Sequence, residues 1–229
     1  MTTAQKLFDQ VIAHGSCDRS LLLQFIDLNR LNSIVDTSPF CEIQQHPLGF
    51  LCVKWTLDST HSLRMHIWSK QFHWHQVPNW QIHDHTFSFR SVVLTGTIQN
   101  KTYRLTNEIN EGRDVGIYRI NYSNQKSHLV PTGEKAKIQI ENSSIQLQDS
   151  TYSLPCEVLH RSVLRSEYAI TLLATVQSQT TLPGVGPRVI GTTTQNQYAF
   201  DRKIDSKVDL RLQMKTAAFE IGNAIRRSY

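Results

Sequence analysis

His83 and His85, in Gln81-Ile-His-Asp-His-Thr86, and His160, in Leu159-His-Arg161, are the residues of this chain best suited to chemistry. The first pair stands at i, i+2 at the head of an alternating run, Phe87-Ser-Phe-Arg-Ser-Val-Val-Leu-Thr-Gly96. On a strand, alternate side chains share one face, so both imidazoles point toward a common place. A third imidazole arriving from a distant strand would complete a facial set of three nitrogens with coordination positions left open. Open positions mark catalytic metal sites, whereas closed sets of four ligands are structural. Asp84, between the two ligands, points away from them and reads as a supporting or turn residue. A second pair, His73-Trp-His75, lies just upstream and reads as a strand end or loop before the site.

Side chains of several types must surround such a centre. Arg90 is a candidate for the catalytic pocket: a small bulge in its strand would carry the guanidinium inside to hold a substrate carboxylate. Lys54 is a second candidate anchor for an anionic group. Trp80 is expected at the pocket mouth as a substrate-binding residue, with Trp74 a weaker candidate. Tyr103 is a candidate catalytic residue, and alternation lets only one of Tyr103 and Arg104 face inward. Glu157, three residues before His160, reads as a surface turn.

The elements that position these residues are mostly strands. Candidate strands are Gly49–Thr56, Ser62–Ser69, Gln81–Gly96, Ile98–Leu105, Gly116–Asn121, Ala136–Glu141, Ser144–Gln148, His160–Leu164 and Ala169–Val176. Gly96, Gly112, Pro131-Thr-Gly133, Asn142 and Ser143 separate several of them. Many short strands at this spacing predict a sandwich or barrel. Before them, residues 4–13 and 20–31 carry apolar side chains at helical spacing, with Gly15 and Asp18 as stop and cap. Pro39 and Pro47 bracket a loop. Residues 177–194, rich in Thr, Gly and Pro, read as a connection, and 205–227 as a closing helix. The implied division is a helical segment over 1–47, a barrel over 48–194 and a helical extension over 195–229.

Composition narrows the function classes. The chain has 229 residues, 39% hydrophobic and 19% charged, as a water-soluble domain has. No apolar stretch is long enough to span a bilayer, and the first residues lack a signal-peptide pattern, so a cytoplasmic protein with no membrane partner is expected. Four cysteines, Cys17, Cys41, Cys52 and Cys156, form no Cys-x-x-Cys pair, which argues against a disulfide framework or a thiolate zinc site. The formal charge of +5 comes from dispersed Lys and Arg, so no nucleic-acid partner is expected.

The His-x-His pair resembles the first cupin motif: after His83-x-His85 come three residues, then Phe89, then six residues ending on Gly96. The motif's glutamate is replaced by Phe89 or Arg90. Pro155-Cys-Glu-Val-Leu-His160 resembles the second motif, with Glu157 in place of its glycine. The resemblance implies a mainly β fold, a double-stranded β-helix or jelly-roll barrel with N-terminal helices and a C-terminal helix. Within cupins the order of Leu63-Arg-Met-His-Ile-Trp68, the His-x-His pair, Val92-Val-Leu-Thr-Gly96 and Leu159-His-Arg161 is similar to the cysteine dioxygenase family. That family implies Fe(II) on three histidines with O2 as co-substrate; Mn, Ni, Cu and Zn remain alternatives. Its cross-linking cysteine is Arg90 here. Its Ser-His-Tyr relay has no counterpart in Thr171–Gln177, and its substrate arginine falls near Leu51–Lys54. The expected function is oxygenation of a small polar metabolite other than cysteine, such as another amino acid, a thiol or a natural-product intermediate. Two other readings stay open: a redox-neutral Zn or Mn metallocupin, isomerase or hydrolase, and a ligand-binding cupin without catalysis. The terminal helices are candidates for a homodimer contact.

Overall fold

Ala4, Leu7, Phe8 and Val11 recur at helical spacing and form the buried stripe of helix α1 (Thr3–His14) in this computed structural model, which describes residues 1–28, 41–72, 76–106, 112–123, 126–178, 186–194, 196–201, 219 and 223. The Thr2 hydroxyl caps its start by accepting the Gln5 N–H. Gly15 ends it in the left-handed conformation (φ 62°), donating its N–H to the Val11 carbonyl. Asp18 then caps α2 (Arg19–Leu28) by accepting the Leu21 N–H at 2.9 Å. The expected helix over 205–227, apart from Phe219 and Asn223, and the His73–His75 pair lie outside the described residues.

Two six-stranded antiparallel sheets follow. The first contains β1 (Cys41–His46), β2 (Phe50–Thr56), β3 (His61–Ser69), β4 (Phe87–Thr95), β8 (Thr151–Leu154) and β10 (Tyr168–Gln177), in the order β1-β2-β3-β10-β4-β8. The second contains β5 (Ile98–Thr106), β6 (Arg113–Ser123), β7 (Lys126–Gln146), β9 (His160–Leu164) and β11 (Arg188–Gly191), in the order β11-β6-β7-β5-β9, with β12 (Tyr198–Asp201) paired to β7. His83 bridges both His160 and Val189, so its segment inserts between β9 and β11. The order β3-β10-β4-β8 in one sheet and His83 segment-β9-β5-β7 in the other is a jelly roll. The expected mainly β barrel with N-terminal helices is the architecture found.

The first sheet is apolar on both faces. Its outer face, including Leu51, Val53, Trp55, Leu63, Met65, Ile170 and Leu172, packs against Leu7, Val11, Leu22 and Phe25 of the helices. Its inner face, through Phe50, Cys52, Trp68 and Ala169, meets Ile98 of β5 inside the barrel. Near-continuous burial along β2 and β10 is the expected signature of strands covered on both sides.

Several elements differ from the sequence reading. The Pro39–Pro47 loop contains β1, paired in register with β2 from Cys41↔Trp55 to His46↔Phe50. Pro131-Thr-Gly133 and Asn142-Ser143 do not end strands; they are irregularities within the single long β7. Gly116 pairs Lys135 and Tyr118 pairs Pro131, so three residues bulge opposite Ile117, and the Thr132 hydroxyl donates to the Ile117 carbonyl at 3.0 Å. The 177–194 connection contains β11, and residues 81–86 contribute only the His83 bridge instead of a full strand. β1 and β12 lie beyond the 48–194 boundaries expected for the barrel.

Candidate metal centre

The three histidines come together. Ring centroids are 4.5 Å apart for His83 and His160, 4.8 Å for His83 and His85, and 4.9 Å for His85 and His160. One nitrogen of each lies within 4.8 Å of the others. The backbone sets this arrangement. His83 N–H donates to the His160 carbonyl at 3.0 Å and His160 N–H to the His83 carbonyl at 2.8 Å, a hydrogen-bonded antiparallel pair. Residues opposed in this way place their side chains on the same face, and His85, two residues on, follows by alternation.

Ring orientation is fixed just as locally. His83 Nδ1 lies 2.9 Å from the Gln81 carbonyl, and His160 Nδ1 lies 3.0 Å from the Val158 carbonyl. A carbonyl only accepts, so both rings carry a proton on Nδ1 and present an Nε2 lone pair. The His85 ring is stacked on Phe87 at 4.4 Å and 14°. Burial drives all three imidazoles toward the neutral form. It lowers the pKa of His160 to about 3, with repulsion from His83 added, and that of His85 well below its usual value, with repulsion from His83 and His160 added; it also lowers that of His83, against the opposing pull of the Gln81 carbonyl and Asp84. Neutral imidazoles with oriented lone pairs are the donor set that a borderline transition metal takes.

Asp84 anchors this loop from behind. It is buried, 2% exposed, accepting Arg188 N–H on Oδ1 at 2.5 Å and Arg188 Nε–H on Oδ2 at 2.6 Å. Arg188 Nη2 donates on to the Glu157 carbonyl at 2.8 Å, while Glu157 N–H donates to the His85 carbonyl at 2.9 Å. The two histidine-bearing segments are therefore joined through Asp84 and Arg188. Glu157 has φ 63°, the left-handed conformation that explains why the resembling motif carries glycine there.

Phe89, not Arg90, occupies the interior position. Its ring centroid is 6.0 Å from His85 and 6.1 Å from His160. β4 pairs in regular register from Phe89↔Leu154 to Val92↔Thr151, and its bulge falls beyond Val93. Without a bulge nearer the site, Arg90 points outward, where Nη1 donates to the Ile12 carbonyl at 2.8 Å beside Gly15. The expected pocket position of Arg90 is thus replaced by a helix-capping one. Tyr103 packs with Val115, Ile117, Ile138 and Leu159, the last adjacent to His160 and so on the opposite face of its strand. Arg104 is exposed. Neither residue lines the cavity; the register shift beside Thr102 puts its extra residue, Glu141, on β7 and leaves the alternation of β5 unbroken.

A cavity of about 320 Å³ opens over the three imidazoles. Lys54, Trp80 and Cys52 are among the residues that line it. Trp80 lies 4.6 Å from the Tyr118 ring and 5.1 Å from that of Tyr198. Arg64, His66 and Tyr152 also line it and were not anticipated. The first two were within reach of the sequence, because Arg64, His66 and Trp68 alternate on one strand as Cys52 and Lys54 do on the next.

No protein-family model matches the chain, and no curated protein sequence matches it. Solved structures do. An RmlC-like cupin from Shewanella frigidimarina aligns over 63% of this chain and 91% of its own, at 10% identity and TM-score 0.35. The hydroxypropylphosphonic acid epoxidase from S. wedmorenis aligns over 59% of this chain and 55% of its own, at 9% identity and TM-score 0.36. The Streptomyces nucleoside dehydratase Pac13 aligns over 69% and 92%, at 9% identity and TM-score 0.33. The fold assignment stands on the strand order, and the chemistry on the three imidazoles. Among the described residues, no helix is long and apolar enough to cross a membrane.

Proposed function

We propose that this protein is a mononuclear non-haem iron oxygenase, similar in its metal ligands to cysteine dioxygenases, acting on a small polar metabolite. The observation that carries the reading is three neutral, pre-oriented imidazoles with the Phe89 ring beside them where a carboxylate ligand would otherwise stand. When bound, a ferrous ion on three neutral ligands supplies an undiminished dication with open positions for a chelating substrate and for O2. Gln81 and Val158 hold the Nδ1 protons of His83 and His160, keeping both Nε2 atoms as donors. Phe89, Leu173, Leu129 and Val189 form apolar walls that exclude water from the reacting groups. Lys54, held by Glu42 at 3.7 Å, and Trp80 offer one cationic and one aromatic contact to the substrate.

The test is metal analysis of protein purified without a His-tag, then anaerobic Fe(II) loading and O2 uptake with a panel of thiols and amino acids. About one iron per chain and substrate-dependent O2 consumption are expected for a three-ligand site of this kind. His83→Ala should abolish iron binding and turnover together. No metal after loading, or full iron retention in the variant, refutes the assignment, and turnover without O2 would move it to a redox-neutral metallocupin.

A further inference from the structure

Trp80, Ile120, Leu129, Val189 and Phe200 line the cavity and belong to one apolar cluster built on the second sheet. Strand register lays them out as a track leading away from the imidazoles. His83 opposes Val189 across a bridge, so the two side chains emerge as neighbours on one face. Val189 opposes Tyr118 of β6, and two residues further along that strand Ile120 opposes Leu129 of β7. Two residues further again, Tyr122 opposes Ser127, which opposes Phe200 of β12. Steps of two keep all of these on the face that carries His83. Trp80 packs onto the same face. Its ring centroid is 4.6 Å from Tyr118 and 5.1 Å from Tyr198, and Gly191 leaves room for it: a Cβ there would collide with the indole. By contrast, the first sheet contributes polar side chains to the cavity, Gln44, Lys54 and His66 among them. An apolar wall facing water costs free energy that an apolar occupant recovers.

We infer that the substrate is amphiphilic: a polar head chelates the metal, and an apolar arm lies along Val189, Ile120 and Leu129 toward Phe200, beside Trp80. The register fixes the direction of the arm, because the track begins at Val189, next to the ligand His83, and runs outward from it. A cavity of about 320 Å³ has room for a head and an arm together. The arm then selects the substrate, and molecules that carry the same head on a hydrophilic chain are poor ligands. The inference rests on the metal reading above and narrows the polar metabolite proposed there to one with an apolar substituent.

The test uses the full chain loaded with Co(II), whose absorption reports chelation, with cobalt content measured on every sample. The probes are acetohydroxamate, 3-phenylpropanohydroxamate and 5-hydroxypentanohydroxamate, which share one chelating head and differ in the arm. Wild type should bind the phenyl probe at least about tenfold more tightly than either of the others, the gain that burying one apolar side chain gives. Trp80→Ser and Ile120→Thr should each cut the ratio of phenyl to acetohydroxamate affinity by about threefold or more. Circular dichroism melts verify folding, and Ile120→Thr carries the test if Trp80→Ser does not fold. A phenyl probe no tighter than the hydroxyl probe, with cobalt at one per chain, overturns the arm and leaves the metal reading intact. A ratio that neither folded variant reduces overturns its placement on this wall. If wild type takes up no cobalt, the metal reading falls, and calorimetry of 4-phenylbutanol on the metal-free chain then decides the wall: binding that Ile120→Thr weakens supports it, and absent or unaffected binding overturns it.

Discussion

Replacing Asp84 with alanine probes how the metal-facing loop is held. The carboxylate is buried, and it satisfies both the backbone N–H and the Nε–H of Arg188 at 2.5 and 2.6 Å. Removing one partner of a buried pair costs about 3–5 kcal/mol. The Arg188 side chain is 26% exposed, so water recovers part of its solvation and about 2–4 kcal/mol is the working figure. For a chain of this size that lowers Tm by about 4–16 °C. Asp84→Asn keeps an acceptor for the Arg188 N–H but loses the charge, and should fall between the two.

The same change should also act on the site. Arg188 ties the His83–His85 loop to Glu157, and Glu157 N–H holds the His85 carbonyl. Releasing that tie widens the positions available to the imidazoles, and loss of such supporting contacts typically weakens metal binding by about 10–100-fold. Urea denaturation of the metal-free chain gives the stability change, and chelator competition for Co(II) gives the affinity. A variant with stability within about 0.5 kcal/mol of wild type, the range of an ordinary surface substitution, and with unaltered cobalt affinity, would refute the idea that Asp84 organises this loop.

Other outcomes follow from the same geometry. His66 and His160 have folded pKa values lowered from 6.5 to about 3, so the unfolded chain binds more protons between those limits. Stability of the metal-free chain is then full above pH 6.5 and declines as pH falls toward 3. Each such histidine contributes up to about 1.4 kcal/mol per pH unit, and His66→Phe should flatten the urea-derived slope by one proton's worth; an unchanged slope would count against burial of a neutral ring. Gly15→Ala places a Cβ against the Arg90 guanidinium at a left-handed position, and should cost about 1–2 kcal/mol, read as a lower melting temperature. Phe89→Glu puts a carboxylate beside His85 and His160, and should tighten Mn(II) binding in a competition assay while suppressing substrate-dependent O2 uptake, whereas Phe89→Gln should do neither.

The metal triad was legible in the sequence because its geometry is built from period-two alternation and one strand pairing. His83 and His85 share a face by spacing alone, and His160 needs only to be the partner of His83. The barrel was legible for the same reason, through alternating strands and turn residues. What escaped depends on register and on non-local partners. Pro131 and Gly133 read as separating two strands, but β6 pairs with β7 on both sides of them, so they form a bulge within one strand. Cys41–His46 has weak strand character of its own and becomes a strand because β2 offers it a six-residue ladder. Arg90 faces outward because the bulge in β4 falls after Val93, a position no local pattern marks. Arg64 was hidden in plain alternation: the pairing of β2 with β3 sets it opposite Lys54, and the pairing of β3 and β4 with β10 brings it above Phe87.

These particulars bear on how much of the site exists before a metal arrives. Two ligand rings are oriented by carbonyls two residues earlier in their own segments, and the segments are joined by reciprocal backbone bonds and by the Asp84–Arg188 pair. None of these contacts uses the Nε2 atoms. Burial of three neutral imidazoles in one small space costs solvation and yields no mutual attraction, so this cluster does not account for the stability of the fold. The sheet and the buried ion pair hold the three donors together against that cost. A metal ion would then meet a formed set of lone pairs, with little ordering left to do on binding. The same rigidity bears on specificity, because Phe87 and Phe89 flank His85 on a regular stretch of strand and fix which side of the ligand faces Arg64 and which faces the apolar wall.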